Sequence, residues 1–145
     1  MSNYEEENIE EKTTGGKSDA EYKSDIAARE REVTKFLNQS KAVDALPVVL
    51  ADPPIYTKSQ AIKDQNAAIV INVLSNIKEK EIDGCLESLD ADQLDILMKY
   101  IYRGLAAAAT SDNTNAALFF KWYEATLKKA GMGCVVRAIS ERKTV

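Results

Sequence analysis

The sequence predicts an all-α protein of about seven short helices, and three observations support this class. Apolar residues recur at three- and four-residue intervals through most of the chain, which is the spacing of one helix face. Capping residues and helix-ending prolines or glycines separate these stretches. No segment combines β-branched residues with a sustained two-residue alternation, so no strand is predicted.

The first two helices are predicted on either side of Ser40. Helical signals begin at residues 24–25, where a serine and an aspartate can both cap, and the first apolar stripe runs to about Asn38. The second helix contains Pro47, which a helix tolerates in its first turn but not in its interior. We therefore expect this helix to start late or to bend, and the prolines within residues 52–54 to end it.

The third helix is predicted to open with a capping box formed by Thr57 and Gln60, in which each side chain satisfies a first-turn amide. Its apolar face continues to about Lys78. A short fourth helix is expected over residues 82–89, where apolar residues follow one narrow stripe.

Three further helices complete the prediction. Asp90 with Gln93 resembles a second capping box and opens the fifth helix. Residues 111–114 form a polar turn before the sixth helix, and Gly131 suits the left-handed stop at its end. A last short helix is centred on residues 135–139.

The spacing of these helices indicates how they pack. Helix pairs recur roughly every 35 to 40 residues, a period that suits a compact bundle of stacked hairpins of the armadillo or HEAT kind. We expect residues 25–145 to form this single helical domain. Residues 1–24 are predicted to be a disordered acidic N-terminal extension, because like-charged blocks and few apolar side chains cannot offset the entropy of ordering.

Charge is distributed unevenly between the extension and the body. Residues 1–25 hold eight acidic and three basic residues, whereas the remainder is close to neutral. A neutral body does not attract phosphate backbones, so we expect no nucleic-acid binding. No apolar run approaches the roughly 20 residues that a membrane-spanning helix needs, so we expect no membrane insertion and a cytoplasmic location.

The sequence offers no catalytic constellation. It contains no histidine, the commonest general base and metal ligand near neutral pH. Residues 16–18 imitate the end of a phosphate-binding loop, and residues 90–95 imitate the start of a calcium loop, but each lacks required positions. Cys85 and Cys134 are expected to be buried thiols. We therefore expect no enzymatic activity, no metal and no cofactor.

Two groups of large side chains could contact another protein. The aromatic residues of segment 119–123 fit a core better than a recognition surface. Tyr100, Tyr102 and Arg103 are the better interface candidates, because tyrosine and arginine are enriched where proteins meet.

Three segments resemble a known family. Residues 52–64 read DPPIYTKSQAIKD, residues 88–104 run from SLD to LMKYIYRG, and residues 131–145 contain GxG, VR and RKTV. In order and spacing, they are similar to the sixteen-kilodalton subunit (subunit 5) family of the actin-related protein 2/3 complex. The resemblance covers about residues 40–145, and Pro47 departs from the family pattern.

The candidate interface residues come from these segments and from the neighbouring aromatic positions. They are Pro53, Pro54, Thr57, Lys58, Gln60, Lys63, Asp64, Lys99, Tyr100, Tyr102, Arg103, Arg137, Arg142 and Lys143.

The resemblance implies a non-catalytic subunit of a seven-protein assembly that nucleates branched actin filaments. It implies that the helical body docks on the twenty-kilodalton subunit and on the propeller subunit. The N-terminal extension would tether actin-related protein 2, and the contact with actin filaments would be indirect. No cofactor is implied, and the expected location is the cytoplasm, at cytoskeletal sites of branched actin assembly.

Two alternatives stay open at this point. A stand-alone helical adaptor would bind peptides in a groove between stacked hairpins. An acid–base enzyme would require a deep pocket with a strongly perturbed aspartate or glutamate.

Overall fold

The structure is a computed structural model that describes residues 17–111, 113–141 and 144–145. Within these residues the chain forms seven α-helices, one 3-10 turn at Glu79–Glu81, and no strand, which confirms the predicted all-α class. The helices are α1 Asp19–Asn38, α2 Ala42–Leu50, α3 Gln60–Asn76, α4 Ile82–Glu87, α5 Ala91–Thr110, α6 Ala116–Ala130 and α7 Met132–Ser140.

The helices pack as stacked hairpins, as predicted. The odd-numbered helices form one row in which α1 contacts α3, α3 contacts α5, and α5 contacts α7. In a second row α4 contacts α6. Contacts between consecutive helices, such as α1 with α2 and α5 with α6, also hold the fold together. Helices α3 and α5 therefore lie in the middle, and each is covered by neighbours on several sides.

The predicted aromatic core is present. Phe119 and Trp122 are fully buried, and the Trp122 indole N–H donates to the Leu74 carbonyl oxygen at 3.3 Å. Phe120, in contrast, is 56% exposed. Gly104 on α5 makes room for α6, because a Cβ at this position would stand 2.2 Å from the Phe119 ring.

The first helix begins earlier than predicted. Asp19 starts α1, and the Ser18 hydroxyl accepts a hydrogen bond from the Glu21 amide at 3.2 Å as its cap. Tyr22 is buried on the same face as Ile26, so packing of its ring extends the helix through residues that charge alone suggested were disordered. The predicted boundary at residue 24 is thus wrong for residues 19–24. Residues 1–16 lie outside the described residues, and their disorder stays a prediction.

Pro47 lies inside α2, which begins at Ala42 and not after the proline as one alternative supposed. The proline side chain faces solvent, whereas Leu46, Val49 and Leu50 are buried against α1 and α3. Because each buried side chain of this size stabilises the fold by roughly 1.5–3 kcal/mol, this face outweighs the hydrogen bond that proline cannot make.

The capping box predicted for α3 is wrong. Ser59 is the N-cap, and its hydroxyl accepts from the Ile62 amide at 3.4 Å. Thr57 lies two residues before it, where its hydroxyl donates to Asp19 at 2.6 Å and so connects the loop to α1. Gln60 instead donates to Asp64 on its own helix. Ser59, directly before the helix, is the acceptor that Thr57 was expected to be.

The capping box predicted for α5 is confirmed. The Asp90 carboxylate accepts from the Gln93 amide at 2.8 Å, and the Gln93 side chain accepts from the Asp90 amide at 2.9 Å. At the far end of α6, Gly131 has a φ of 85°, the conformation predicted for the stop before α7.

Candidate interaction surface

The fold gathers the three family-like segments in one place. Lys63 on α3 donates from its ammonium to the Thr144 hydroxyl at 2.9 Å, and Arg103 on α5 donates to Asp64 at 2.8 Å. Val145 is buried beside them. These groups surround a shallow cavity of about 380 Å³, which is lined by Gln60, Lys99, Tyr102, Arg103, Ala106, Ala138, Thr144 and Val145.

Two ion pairs fasten α7 to α5. Arg137 donates two hydrogen bonds to Asp95, at 2.7 and 2.9 Å, and Lys99 bonds Glu141 at 2.7 Å. The hydrogen bonds from Arg137 hold the pKa of Asp95 below its ordinary value. Both basic residues were predicted as interface candidates, and the structure shows that they have partners within the chain.

A buried polar chain crosses α1, α3 and α5. Arg29 donates to the Asn66 side-chain oxygen at 2.5 Å, and the Asn66 amide donates to the Tyr100 hydroxyl at 2.5 Å. Arg29 also donates to the carbonyls of Ala51 and Asp52, at 2.8 and 3.2 Å. These hydrogen bonds therefore hold the loop of residues 51–54, in which both prolines are buried, against α1.

Sequence reasoning missed Arg29 and Asn66. A signal for Arg29 existed, because it lies three residues after Ile26 and four before Val33, within the apolar stripe of α1. Asn66 likewise occupies a position on the buried face of α3. A polar side chain on an apolar stripe needs a hydrogen-bond partner when it is buried. Two such residues on neighbouring helices are therefore candidates to bond each other.

The predicted interface residues divide by exposure. Pro53, Pro54, Thr57 and Tyr100 are buried inside the chain, and burial raises the pKa of Tyr100 to about 12. Tyr102 is half-buried, in an edge-to-face contact with Tyr123 at a centroid distance of 5.9 Å. The exposed members are Lys58, Gln60, Asp64 and Arg137, and the partly buried ones are Lys63, Lys99 and Arg103. Arg142 and Lys143 lie outside the described residues.

The most exposed apolar side chains on one helix form a stripe on α7. Met132, Val136 and Ile139 are 61%, 54% and 69% exposed and follow helical spacing. Cys134 and Val135 on the opposite face are buried in the core. Sequence reasoning predicted apolar surface in excess of the core's needs, but it did not single out these three residues.

The whole chain, residues 1–145, matches the P16-Arc family, which is described as the ARP2/3 complex 16 kDa subunit (p16-Arc). The chain belongs to this family. It is 59% identical over 143 residues to the actin-related protein 2/3 complex subunit 5 of Dictyostelium discoideum, with 99% of each chain covered. The resemblance predicted from residues 40–145 is therefore confirmed and extends further.

Vertebrate relatives of the p16-Arc family are less similar. Subunit 5-C of Xenopus laevis is 43% identical over 116 residues, which are 80% of this chain and 75% of the relative. The human subunit 5-like protein is 38% identical over 114 residues, which are 79% of this chain and 72% of the relative.

The described part of this p16-Arc family member offers little for acid–base chemistry. Its two carboxyl groups with clearly shifted pKa values, Asp64 and Asp95, are both shifted downwards, by hydrogen bonds from Gln60 and Arg137 respectively and then by further partners. A general acid near neutral pH requires the opposite shift. Burial raises the pKa of both Cys85 and Cys134 to about 11, which keeps each as a thiol.

Two other kinds of site are missing from the described residues. These residues contain no group of three or more acidic or cysteine side chains arranged to hold a metal ion. None of their helices combines the length and apolar character needed to cross a bilayer.

Proposed function

We propose that this chain acts as a non-catalytic structural subunit of an actin-related protein 2/3 complex, in which it supports filament nucleation and branching. The observation that carries the proposal is the family match over the entire chain, with 59% identity to a subunit 5 across 143 residues. This role puts the chain in the cytoplasm, at cytoskeletal sites of branched actin assembly, with the other subunits of the complex as its partners.

The body would bridge neighbouring subunits through its exposed apolar side chains. Several charged residues of the family-like segments already have partners within the chain, as the pairs Arg103–Asp64 and Arg137–Asp95 show. The α7 stripe of Met132, Val136 and Ile139 has no such cover among the described residues. Fully burying one side chain of this size contributes roughly 1.5–3 kcal/mol before the cost of association. We place a contact with the twenty-kilodalton or the propeller subunit on this stripe.

The N-terminal extension would tether actin-related protein 2. Lys17, the first described residue, is anchored to the body: its ammonium bonds Asp25 at 2.8 Å, bonds Asp52 as well, and lies 5.8 Å from the centre of the Tyr22 ring. Ahead of this anchor, residues 1–16 contain five acidic residues and one basic residue. An acidic segment held at one end raises the local concentration of whatever it binds at the other.

Reconstitution of the complex with and without this chain tests the proposal. We expect the assembly that lacks the chain to nucleate branches more slowly, and the added chain to restore the rate. The control is the chain with Trp122→Ala, which loses the largest buried side chain and with it a core contact. Equal branching with and without the wild-type chain would refute the proposed role.

One observation favours the alternative of a stand-alone peptide-binding adaptor. A shallow, mainly apolar groove of about 420 Å³ runs between α3 and α5 over small residues such as Ala67, Ala68 and Ala107. An adaptor would exist as a free monomer that binds varied peptides reversibly, whereas a subunit would be found at fixed stoichiometry in a large assembly.

A further inference from the structure

The hydroxyl of Thr144 differs from other exposed hydroxyls of the described chain in what it contacts. Thr110 and Ser140 donate to carbonyl oxygens of their own helices. Thr144 instead accepts a hydrogen bond from the ammonium of Lys63, at 2.9 Å across 81 residues of sequence. It is also solvent-exposed, so an enzyme can reach it.

Three basic side chains lie around Thr144. Lys63, Lys99 and Arg103 border the same small surface region, where Glu141 pairs with Lys99 and Asp64 with Arg103. Among the described residues, no carboxylate forms an ion pair with Lys63. Desolvation and then the nearby Arg103 lower the pKa of Lys63, which means that its surroundings disfavour its charge. An anion held at this place would reverse that effect.

We propose that Thr144 is a phosphorylation site and that Lys63, with Arg103 and Lys99 beside it, is the built-in receptor for the phosphate. A phosphothreonine carries a charge of about −1.5 to −2 at pH 7 and has three strong acceptor oxygens. The existing bond shows that the Lys63 ammonium already reaches the Thr144 oxygen to which the phosphate would be attached. Charge-assisted bonds from Lys63 and Arg103 then hold residues 144–145 on α3 and α5.

The transfer requires a protein kinase and ATP. The Thr144 oxygen attacks the γ-phosphorus, and a new oxygen–phosphorus bond forms as the bond between the γ-phosphorus and the β–γ bridging oxygen breaks. ADP leaves with that electron pair, and the hydroxyl proton passes to the base of the kinase. In the sequence, Thr144 directly follows Arg142 and Lys143, so a kinase that selects basic residues before its target is the expected class.

Kinase treatment of the full chain tests access to the site. We expect a panel of serine/threonine kinases that select basic residues to add one phosphate with ATP, assigned to Thr144 by mass spectrometry, and none at this position in Thr144→Val. Phosphate on other residues only, or no phosphate, would overturn the site.

A phosphorus NMR titration tests the receptor independently of any kinase. The full chain with phosphothreonine at position 144 can be assembled by chemical ligation at Cys134. We expect its second phosphate pKa to lie about one unit below that of the same residue in the free 134–145 peptide, because nearby cations favour the dianion. In Lys63→Gln, with folding checked by circular dichroism, most of this shift should disappear. A pKa equal to that of the peptide would rule out the receptor.

Discussion

Gly104 and Gly84 offer a direct comparison at the residue scale. Both are helical glycines, so replacement by alanine gains roughly 1 kcal/mol of helix propensity at either position. A Cβ at Gly104 would stand 2.2 Å from the Phe119 ring, whereas a Cβ at Gly84 meets nothing within 4 Å. The two positions therefore isolate the effect of packing from that of propensity.

We expect Gly104→Ala to destabilise the fold by about 1–3 kcal/mol, because the overpacking between α5 and α6 exceeds the gain in propensity. Gly84→Ala should stabilise it by about 0.5–1 kcal/mol. Urea denaturation of both variants measures the two changes. Equal effects at the two positions would mean that Gly104 is not a close contact between these helices.

The hydroxyl of Tyr100 is a second test at the residue scale. In Tyr100→Phe, the buried Asn66 amide that donates to this hydroxyl at 2.5 Å loses its acceptor. We expect a loss of roughly 1–3 kcal/mol in the free energy of unfolding, the usual cost of a buried donor without a partner. The matched control is Tyr102→Phe on the same helix, whose ring is only half-buried, and it should change stability much less. A similar loss in both variants would contradict the buried polar chain.

At the scale of elements, we expect the pairing of α7 with α5 to depend on pH. Arg137 lowers the folded-state pKa of Asp95, and Lys99 and the Cys134 thiol also face this carboxylate. A carboxyl whose pKa is lower in the folded state stabilises the protein above its unfolded-state pKa of about 3.9. That contribution is lost as the pH falls from there through the folded-state value.

We therefore expect the urea midpoint of the wild-type chain to fall more steeply below about pH 4 than that of Asp95→Asn. Above pH 5 the two curves should run parallel, with the wild type the more stable. Identical slopes below pH 4 would show that Asp95 has the same pKa in both states.

The exposed stripe of α7 gives a second prediction at this scale. In the double variant Val136→Asp with Ile139→Asp, carboxylates replace side chains that we place against another subunit. Loss of about 1.4 kcal/mol of contact energy weakens association tenfold, and we expect at least this reduction in binding to the complex. Affinity capture at graded concentrations measures it.

A matched control for the stripe is Gln65→Asp, at an exposed position of α3. It should bind the complex like the wild type. If the stripe variant remains folded by circular dichroism and binds equally well, α7 is not part of the interface.

At the scale of the whole molecule, the start of α1 defines how the extension should be removed. A deletion to the predicted boundary at residue 24 would remove the Ser18 cap and the buried Tyr22 together with the acidic segment. Deleting residues 2–16 leaves Lys17 and its bonds to Asp25 and Asp52 in place.

We expect the chain without residues 2–16 to enter the complex normally but to reduce the rate of branch nucleation in a purified actin assay. A version in which a glycine–serine segment of the same length replaces residues 2–16 should be equally slow, because it restores length without the acidic sequence. Normal nucleation by the chain that lacks residues 2–16 would rule out the tethering role.

The sequence was sufficient to predict the helical class, the stacking and most helix ends, because apolar spacing and capping are local signals. It was less informative where a distant contact decides the outcome. Tyr22 orders the start of α1 by packing, and Thr57 bonds Asp19 across 38 residues instead of capping α3. The same reason explains Tyr100: tyrosine suits an interface or a core, and only the fold brings Asn66 to its hydroxyl.

The interface residues named from the sequence stay a prediction, but the structure shows which of them already have partners within the chain. The family-like segments do meet at one place, but residues such as Lys99 and Arg137 bond carboxylates of this chain, 42 residues away in each case. Sequence spacing cannot show whether a charged residue is paired within the chain or awaits a partner. The α7 stripe was missed because a nine-residue helix with apolar residues on two sides reads equally well as buried.

Affinity purification of the tagged chain from its own cells, with mass-spectrometric quantification of the bound proteins, tests the central claim that it is a subunit of a larger assembly. We expect six partner proteins in equimolar amount with the chain, among them actin-related protein 2 and the propeller subunit. Recovery of the chain as a free monomer, with no partner in fixed proportion, would contradict it.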